Sequence, residues 1–170
     1  FMTFGDITLG KQTVLCRDTP AFIANRIGVM SGTALVNLTI EYKMSIEEVD
    51  AITGPLIGRP NTATFKLQDL VGLDTSEKVS SFVTQTVEND DFFEELKSKE
   101  APKFINFLLD SKFYGNKSGK GFYQRTKEKD SNGRTVVNVL NLETLEYEKT
   151  IRPKLKIVNE AKPIQNIGKR

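Results

Sequence analysis

Apolar residues recur at helical spacing through the first two thirds of the chain and turn to strand-like runs after about residue 120. Between residues 20 and 41, Ile23, Ile27, Met30, Ala34 and Leu38 share one helical face, and Phe22, Val29, Val36 and Ile40 share another. The spacing predicts a helix about 33 Å long at ~1.5 Å per residue. A helix that is apolar on two faces has to be covered on two sides, so it is expected at the centre of a core or in an interface. Gly28 and Gly32 lie four apart within it and lower its intrinsic propensity. Close helix packing explains them more simply than a ligand contact does.

Turn and cap residues divide the rest. Residues 12–17 read as a short strand, stopped by Asp18-Thr19-Pro20, where Asp18 or Thr19 can cap the long helix and Pro20 suits its first turn. Ser45-Ile46-Glu47-Glu48 is a capping box for a second helix reaching about residue 57, its last turn weakened by Pro55. A third helical stretch starts at Thr64 and bends at Gly72, residues 88–95 form an acidic surface segment, and residues 102–112 form another amphipathic helix. After the glycine-rich loop at 115–121, residues 122–126 and 135–141 read as strands joined through Ser131-Asn132-Gly133, with a third short strand at 145–149. Residues 151–170 carry several Lys and Arg, two prolines and no helical period, and read as a linker or tail.

Composition narrows the chemistry. With 170 residues, 38% of them apolar and 27% charged, the chain is an ordinary globular domain with room for a small appendage. A balance of 24 Lys+Arg against 22 Asp+Glu excludes a charge-driven nucleic-acid binder as the default. No stretch approaches the roughly 20 apolar residues of a membrane span. Cys16 is the one cysteine, so no intrachain disulfide can form, and a reducing, cytoplasmic setting fits. There is no histidine. A His triad, a His-ligated zinc and an imidazole acid–base pair are therefore excluded within this chain, and no metal site is expected.

Three features invite a functional reading and meet a plainer one. Residues 115–121 suggest a phosphate loop, but the Gly-x-x-x-x-Gly-Lys spacing would need glycine at Tyr114 and Ser or Thr at Gly121. Cys16 lacks a base to activate it and reads as a buried strand cysteine. Asn25, early in the long helix, is by residue type alone a solvated side chain.

The segment Asp18-Thr19-Pro20-Ala21-Phe22-Ile23-Ala24-Asn25-Arg26 closely resembles the Asp-x-Pro-Gly-Phe-x-x-Asn-Arg stretch that opens the C-terminal domain of 3-hydroxyacyl-CoA dehydrogenases. Gly10-Lys11, Asp69-Leu70-Val71-Gly72-Leu73-Asp74 and Lys117-Ser118-Gly119-Lys120-Gly121-Phe122-Tyr123 follow in the order that family shows, so the resemblance covers residues 4–124. Residues beyond Tyr123 look most like the long bacterial, multifunctional-type versions, which carry an enoyl-CoA hydratase-like domain further along.

The resemblance implies a mainly α fold, a helical dehydrogenase C-terminal domain of the 6-phosphogluconate dehydrogenase C-terminal-like kind with a small β-hairpin appended. Residues 1–17 would be the end of an NAD-binding Rossmann domain, 18–112 the helical substrate and dimerisation domain, 113–150 the glycine-rich loop and hairpin, and 151–170 the tail. It further implies NAD as cofactor, bound mainly by the N-terminal domain of the same polypeptide, which also supplies the catalytic His–Glu pair. The substrate would be an acyl-CoA in fatty-acid β-oxidation, the assembly a homodimer, and this chain alone inactive. Asn25 matches the family asparagine that hydrogen-bonds substrate near the reacting oxygen, a catalytic and substrate-binding role. Lys117 matches a lysine that approaches NAD. Two departures stand out: Ala21 replaces the usual glycine, and Asn61-Thr62-Ala63-Thr64-Phe65 replaces Pro-Met-Gly-Pro-Phe beside the acyl side of the cleft. The alternatives are a non-catalytic helical dimerisation module and a 3-hydroxybutyryl-CoA dehydrogenase.

Overall fold

The computed structural model describes residues 1–169. Seven α-helices and one antiparallel sheet follow in the order α1 (Ala24–Glu41), α2 (Ile46–Thr53), α3 (Phe65–Val71), α4 (Leu73–Thr86), α5 (Asp91–Lys97), α6 (Lys103–Asp110), β1 (Tyr123–Lys129), β2 (Thr135–Leu140), β3 (Tyr147–Lys149) and α7 (Lys156–Ala161). The expected mainly helical domain with a small appended sheet is what the chain forms.

Residues 12–17 form no strand. Their β-preferring side chains have nothing to pair with, and a strand without a neighbour leaves its backbone hydrogen bonds to water. The segment is held locally instead, the Asp6 carboxylate accepting the Thr13 amide at 2.7 Å. Cys16 is exposed rather than buried.

The long helix begins later than its apolar pattern suggests. Ala21 and Phe22 have φ of 64° and 49°, a left-handed conformation that no α-helix continues through, so α1 opens after Ile23, without a side-chain cap. Ala21 is thus strained, since this left-handed region favours glycine. The two stripes of α1 are each only partly covered, Phe22 and Ile40 of the second staying 57% and 49% exposed. Val29 and Val36 pack inward, Val29 on a small cluster of Val83, Val87 and Phe93 and Val36 on the main core. Ile23, Ile27, Met30 and Leu38 stay 44%, 54%, 43% and 44% exposed. The helix is therefore not central to this chain's core. Close packing does not account for its glycines either: a Cβ on Gly28 would meet nothing within 4 Å, and one on Gly32 only Gln68 Nε2 at 3.9 Å.

Ser45 caps α2 through the full capping box, accepting the Glu48 amide at 3.3 Å while Glu48 accepts the Ser45 amide at 2.9 Å. The helix stops at Thr53, before Gly54 and Pro55, and a short 3-10 turn at Pro55–Ile57 takes its place. Gly72, at φ 95°, divides the third helical stretch into α3 and α4. The acidic segment also holds a helix, α5, because Phe93 is buried (1% exposed) against Val83 and Val87.

The main core joins helices to sheet. Ile46, Val49, Phe65, Leu73, Phe104, Leu108, Phe122, Val139 and Leu140 form one cluster, with the Phe65 and Phe122 rings 4.8 Å apart. β2 is the central strand, pairing Tyr123↔Val139 with β1 and Leu140↔Tyr147 with β3. Gly133, at φ 75°, makes the hairpin turn, and Asp130 accepts the Asn132 and Arg134 amides across it. The tail contains α7, contrary to the reading of no helical order. Ala161 is buried, and Ile167 lies against the Gly58 turn, 2.8 Å from where a Cβ there would stand.

Candidate functional site

Asn25 is the second residue of α1 and is exposed. Its neighbour fixes the helix end in space: Arg26 donates to Asp90 at 2.6 Å, and this hydrogen bond holds the Asp90 carboxyl below the usual carboxylate range. The Asn25 amide therefore stands on a tethered first turn, free to meet a ligand, in a helical region that also borders a hollow lined by Cys16, Thr19, Phe22 and Ile27.

Lys117 occupies a built cradle. It sits on a short 3-10 turn (Asn116–Ser118) at the tip of the glycine-rich loop, between Gly115 and Gly119, which have φ of 105° and 75°. Its ammonium pairs with Asp74 and reaches Thr75 Oγ1 at 3.4 Å, both in the first turn of α4, and lies 5.7 Å from the Tyr114 ring centre. The carboxyl of Asp74 is lowered by that hydrogen bond. A Cβ on Gly72 would stand 2.7 Å from Lys117 Cε and Nζ, so the missing side chain there makes room for the lysine. The side chain remains 45% exposed.

The loop behind Lys117 is anchored by Asp69, on α3 and 5% exposed. Its two carboxylate oxygens accept the Phe122 and Tyr123 amides, each at 2.8 Å. Gly115 and Gly121 pack on Asp69 so closely that a Cβ on either would overlap it. Burial pushes the Asp69 carboxyl up to about 6 against the opposing pull of the two amides, and the nearby Asp50 charge adds to the rise. Tyr147 donates its hydroxyl to the Gly121 carbonyl, and Lys120 places its ammonium 4.2 Å from the Phe113 ring and 4.1 Å from the Tyr147 ring. Asp50 does for α3 what Thr64 does not: it accepts the Thr64, Phe65 and Lys66 amides at 3.0, 2.7 and 3.3 Å, and the Tyr123 hydroxyl at 2.8 Å. Burial beside that carboxylate raises the Tyr123 phenol and keeps it protonated.

Asn25 and Lys117 are not brought together. Arg26 ties the start of α1 to Asp90, beyond the C-terminal end of α4, whereas Lys117 is tied to Asp74 at its N-terminal end. The 14 residues of α4 span about 21 Å, so the two candidates are tied to opposite ends of that helix. Asp50, Asp69 and Asp74 were not singled out as site-building residues by sequence reasoning. The available signal was an acid inside an apolar helical run, as with Asp69 between Leu67 and Leu70.

Comparison with known proteins agrees with this architecture. Residues 22–125 match the family profile described as 3-hydroxyacyl-CoA dehydrogenase, C-terminal domain. A "Probable 3-hydroxyacyl-CoA dehydrogenase" of Bacillus subtilis is 39% identical over 163 residues, 95% of this chain. A "Putative fatty acid oxidation complex trifunctional enzyme" of Rickettsia prowazekii is 31% identical over 139 residues, 82% of this chain. The chain spans 19% of the length of each. The crystal structure of M. tuberculosis FadB2 superposes with a TM-score of 0.53 at 28% identity, covering 73% of this chain and 41% of that one. On this evidence the chain belongs to the 3-hydroxyacyl-CoA dehydrogenase family and corresponds to its C-terminal domain.

Proposed function

We propose that these residues form the C-terminal part of an NAD-dependent dehydrogenase that interconverts L-3-hydroxyacyl-CoA and 3-ketoacyl-CoA in fatty-acid β-oxidation. The observation that carries the reading is Asn25: an exposed amide on a tethered first helical turn, within the family-matched segment. Its side-chain N–H donates to the 3-oxygen of the substrate and holds C3 in line for hydride transfer. The proton of the 3-hydroxyl passes to the His–Glu pair that the resemblance assigns to the N-terminal domain, since these 170 residues contain no histidine. NAD, when bound, supplies the hydride acceptor, held mainly by an N-terminal Rossmann domain. The residues here fit it at one point, the half-exposed Lys117 ammonium, which suits an anionic phosphate.

The outward stripe of α1 supports a homodimer. From Ile27 to Ile40 the helix carries no charged residue, although much of that stretch is exposed. An uncharged face tolerates meeting its own copy across a two-fold axis, where like charges would repel. The same stripe favours a second reading, a helical dimerisation module without catalysis; dehydrogenation of 3-hydroxybutyryl-CoA is the short-chain variant of the first.

One experiment separates these. NADH oxidation is followed with a 3-ketoacyl-CoA, using these 170 residues alone, then together with the NAD-binding portion. The expected result is no turnover alone, turnover when combined, and a loss on the order of 10²–10³ in kcat with Asn25→Ala. A combined protein that stays inactive leaves the dimerisation module, and robust turnover by the 170 residues alone sinks the division of labour.

A further inference from the structure

We propose that Asp69 is a positioning residue for Lys117: by gripping the base of the glycine-rich loop, it holds the lysine ammonium at one place on the enzyme. This rests on the assignment of Lys117 to the dinucleotide and goes beyond it, because it names what fixes that charge.

The argument starts from what an exposed lysine on a glycine-rich loop ordinarily does, which is to wander. Its four-carbon stem has high rotamer freedom, and a loop with three glycines adds backbone freedom. Here that freedom is removed at both ends. At the tip, Lys117 lies in the space that a Gly72 side chain would fill, against Asp74 and Thr75. At the base, both oxygens of Asp69 are taken by consecutive amides of Phe122 and Tyr123, in a site that admits no atom at Gly121 beyond hydrogen. The loop is closed on itself as well: the Gly115 amide donates to the Lys120 carbonyl at 2.8 Å, and Ser118 Oγ accepts the Tyr114 amide and donates to the Lys120 carbonyl, both at 2.8 Å. The last link runs to the helix that Lys117 rests on, the Leu73 amide donating to the Tyr114 carbonyl at 3.0 Å.

A loop that served only to connect α6 to β1 would not need a buried carboxylate. Carboxylates are rarely buried unless paired, and this one has amides rather than a cation for partners. The arrangement makes sense as a mount. Asp69 sets the loop, the loop sets the Lys117 Cα, and Asp74 with Thr75 sets the ammonium. A lysine held in advance on Asp74, with its side chain still 45% exposed, meets a phosphate without first losing its own freedom.

The test is made in the full-length enzyme, with NADH as the varied substrate and a 3-ketoacyl-CoA held at saturation. Lys117→Ala, Asp69→Asn and the double variant are compared. Expected are a rise on the order of tenfold in the KM for NADH for either single change, kcat within about twofold, and a double variant no worse than Lys117→Ala alone. An Asp69→Asn effect that adds in full to that of Lys117→Ala would place Asp69 in some other role and overturn the inference. So would an unchanged KM in Asp69→Asn beside a raised one in Lys117→Ala. An unchanged KM in Lys117→Ala itself removes the dinucleotide assignment and the inference with it, which is a different result from either of these. Where Asp69→Asn fails to fold, Ser118→Ala carries the comparison: it removes the hydroxyl that accepts the Tyr114 amide and donates to the Lys120 carbonyl, loosening the same loop outside the core, and is expected to raise the KM in the same non-additive way.

Discussion

Asp50→Ala is the change that most directly probes how the site is held. Asp50 sits on α2 with its side chain 1% exposed, and its carboxylate accepts three consecutive amides at the start of α3 as well as the Tyr123 hydroxyl. Its cationic neighbour, Lys66 at 3.8 Å, is 52% exposed and contributes little. Truncation leaves the Thr64 and Phe65 amides buried without an acceptor, while the part-buried Lys66 amide and Tyr123 hydroxyl lose theirs nearer the surface. Groups orphaned in this way cost about 1–3 kcal/mol each, less what is regained by no longer burying a charge. The net loss should be about 3–5 kcal/mol, a large part of the roughly 5–15 kcal/mol that holds a domain together. Urea denaturation followed by circular dichroism measures it, beside two controls. Tyr123→Phe removes one donor and should cost about 1 kcal/mol, and Lys66→Met should stay within about 0.5 kcal/mol. An Asp50→Ala loss below about 1 kcal/mol would refute the claim that this carboxylate is the cap of α3.

Other consequences follow from single positions. Ala21→Gly should stabilise the chain by about 1 kcal/mol, since it relieves a left-handed alanine, and an unchanged or lowered denaturation midpoint counts against that strain. Ser45→Ala should cost about 1 kcal/mol by removing the capping box of α2, read from the same denaturation curves. The Asp69 carboxyl should titrate near 6 by carbon-detected NMR; a midpoint below 4 would contradict its burial. Because its folded value lies above the unfolded one, the folded state holds the extra proton between about pH 4 and 6, and Asp69 makes stability fall as pH rises through that window. Asp74 and Asp90, both lowered, act in the opposite sense, stabilising above the unfolded carboxylate range and losing that contribution as pH falls through their folded values. Met30→Lys on the outward face of α1 should convert a dimeric full-length protein to monomer in light scattering; a dimer that survives it is not built on that stripe.

The local features of this fold were written in local chemistry. Ser45 and Glu48 announce the start of α2, Gly133 the hairpin, and the apolar spacing of residues 23–40 the long helix, because caps, turns and helical faces depend on residues within a few positions of one another. The family-matched segments, too, were legible as text, Asn25 and Lys117 among them. What the chain kept to itself were relations across long separations. Nothing within reach of Thr64 says that its helix will be capped by Asp50, fourteen residues away, or that Asp69 will grip amides fifty-three and fifty-four residues further on. Residues 12–17 show the converse, with strand-forming side chains and no strand, since a β-strand exists only beside another. Ala21 and Phe22 were helix-compatible by type and left-handed in fact, Ala21 packing with Val29 on the distant Val83, Val87 and Phe93 cluster. A side chain's identity sets which bonds it can make; only the packed chain decides which partners arrive within 3 Å of it, because those distances depend on every element in between.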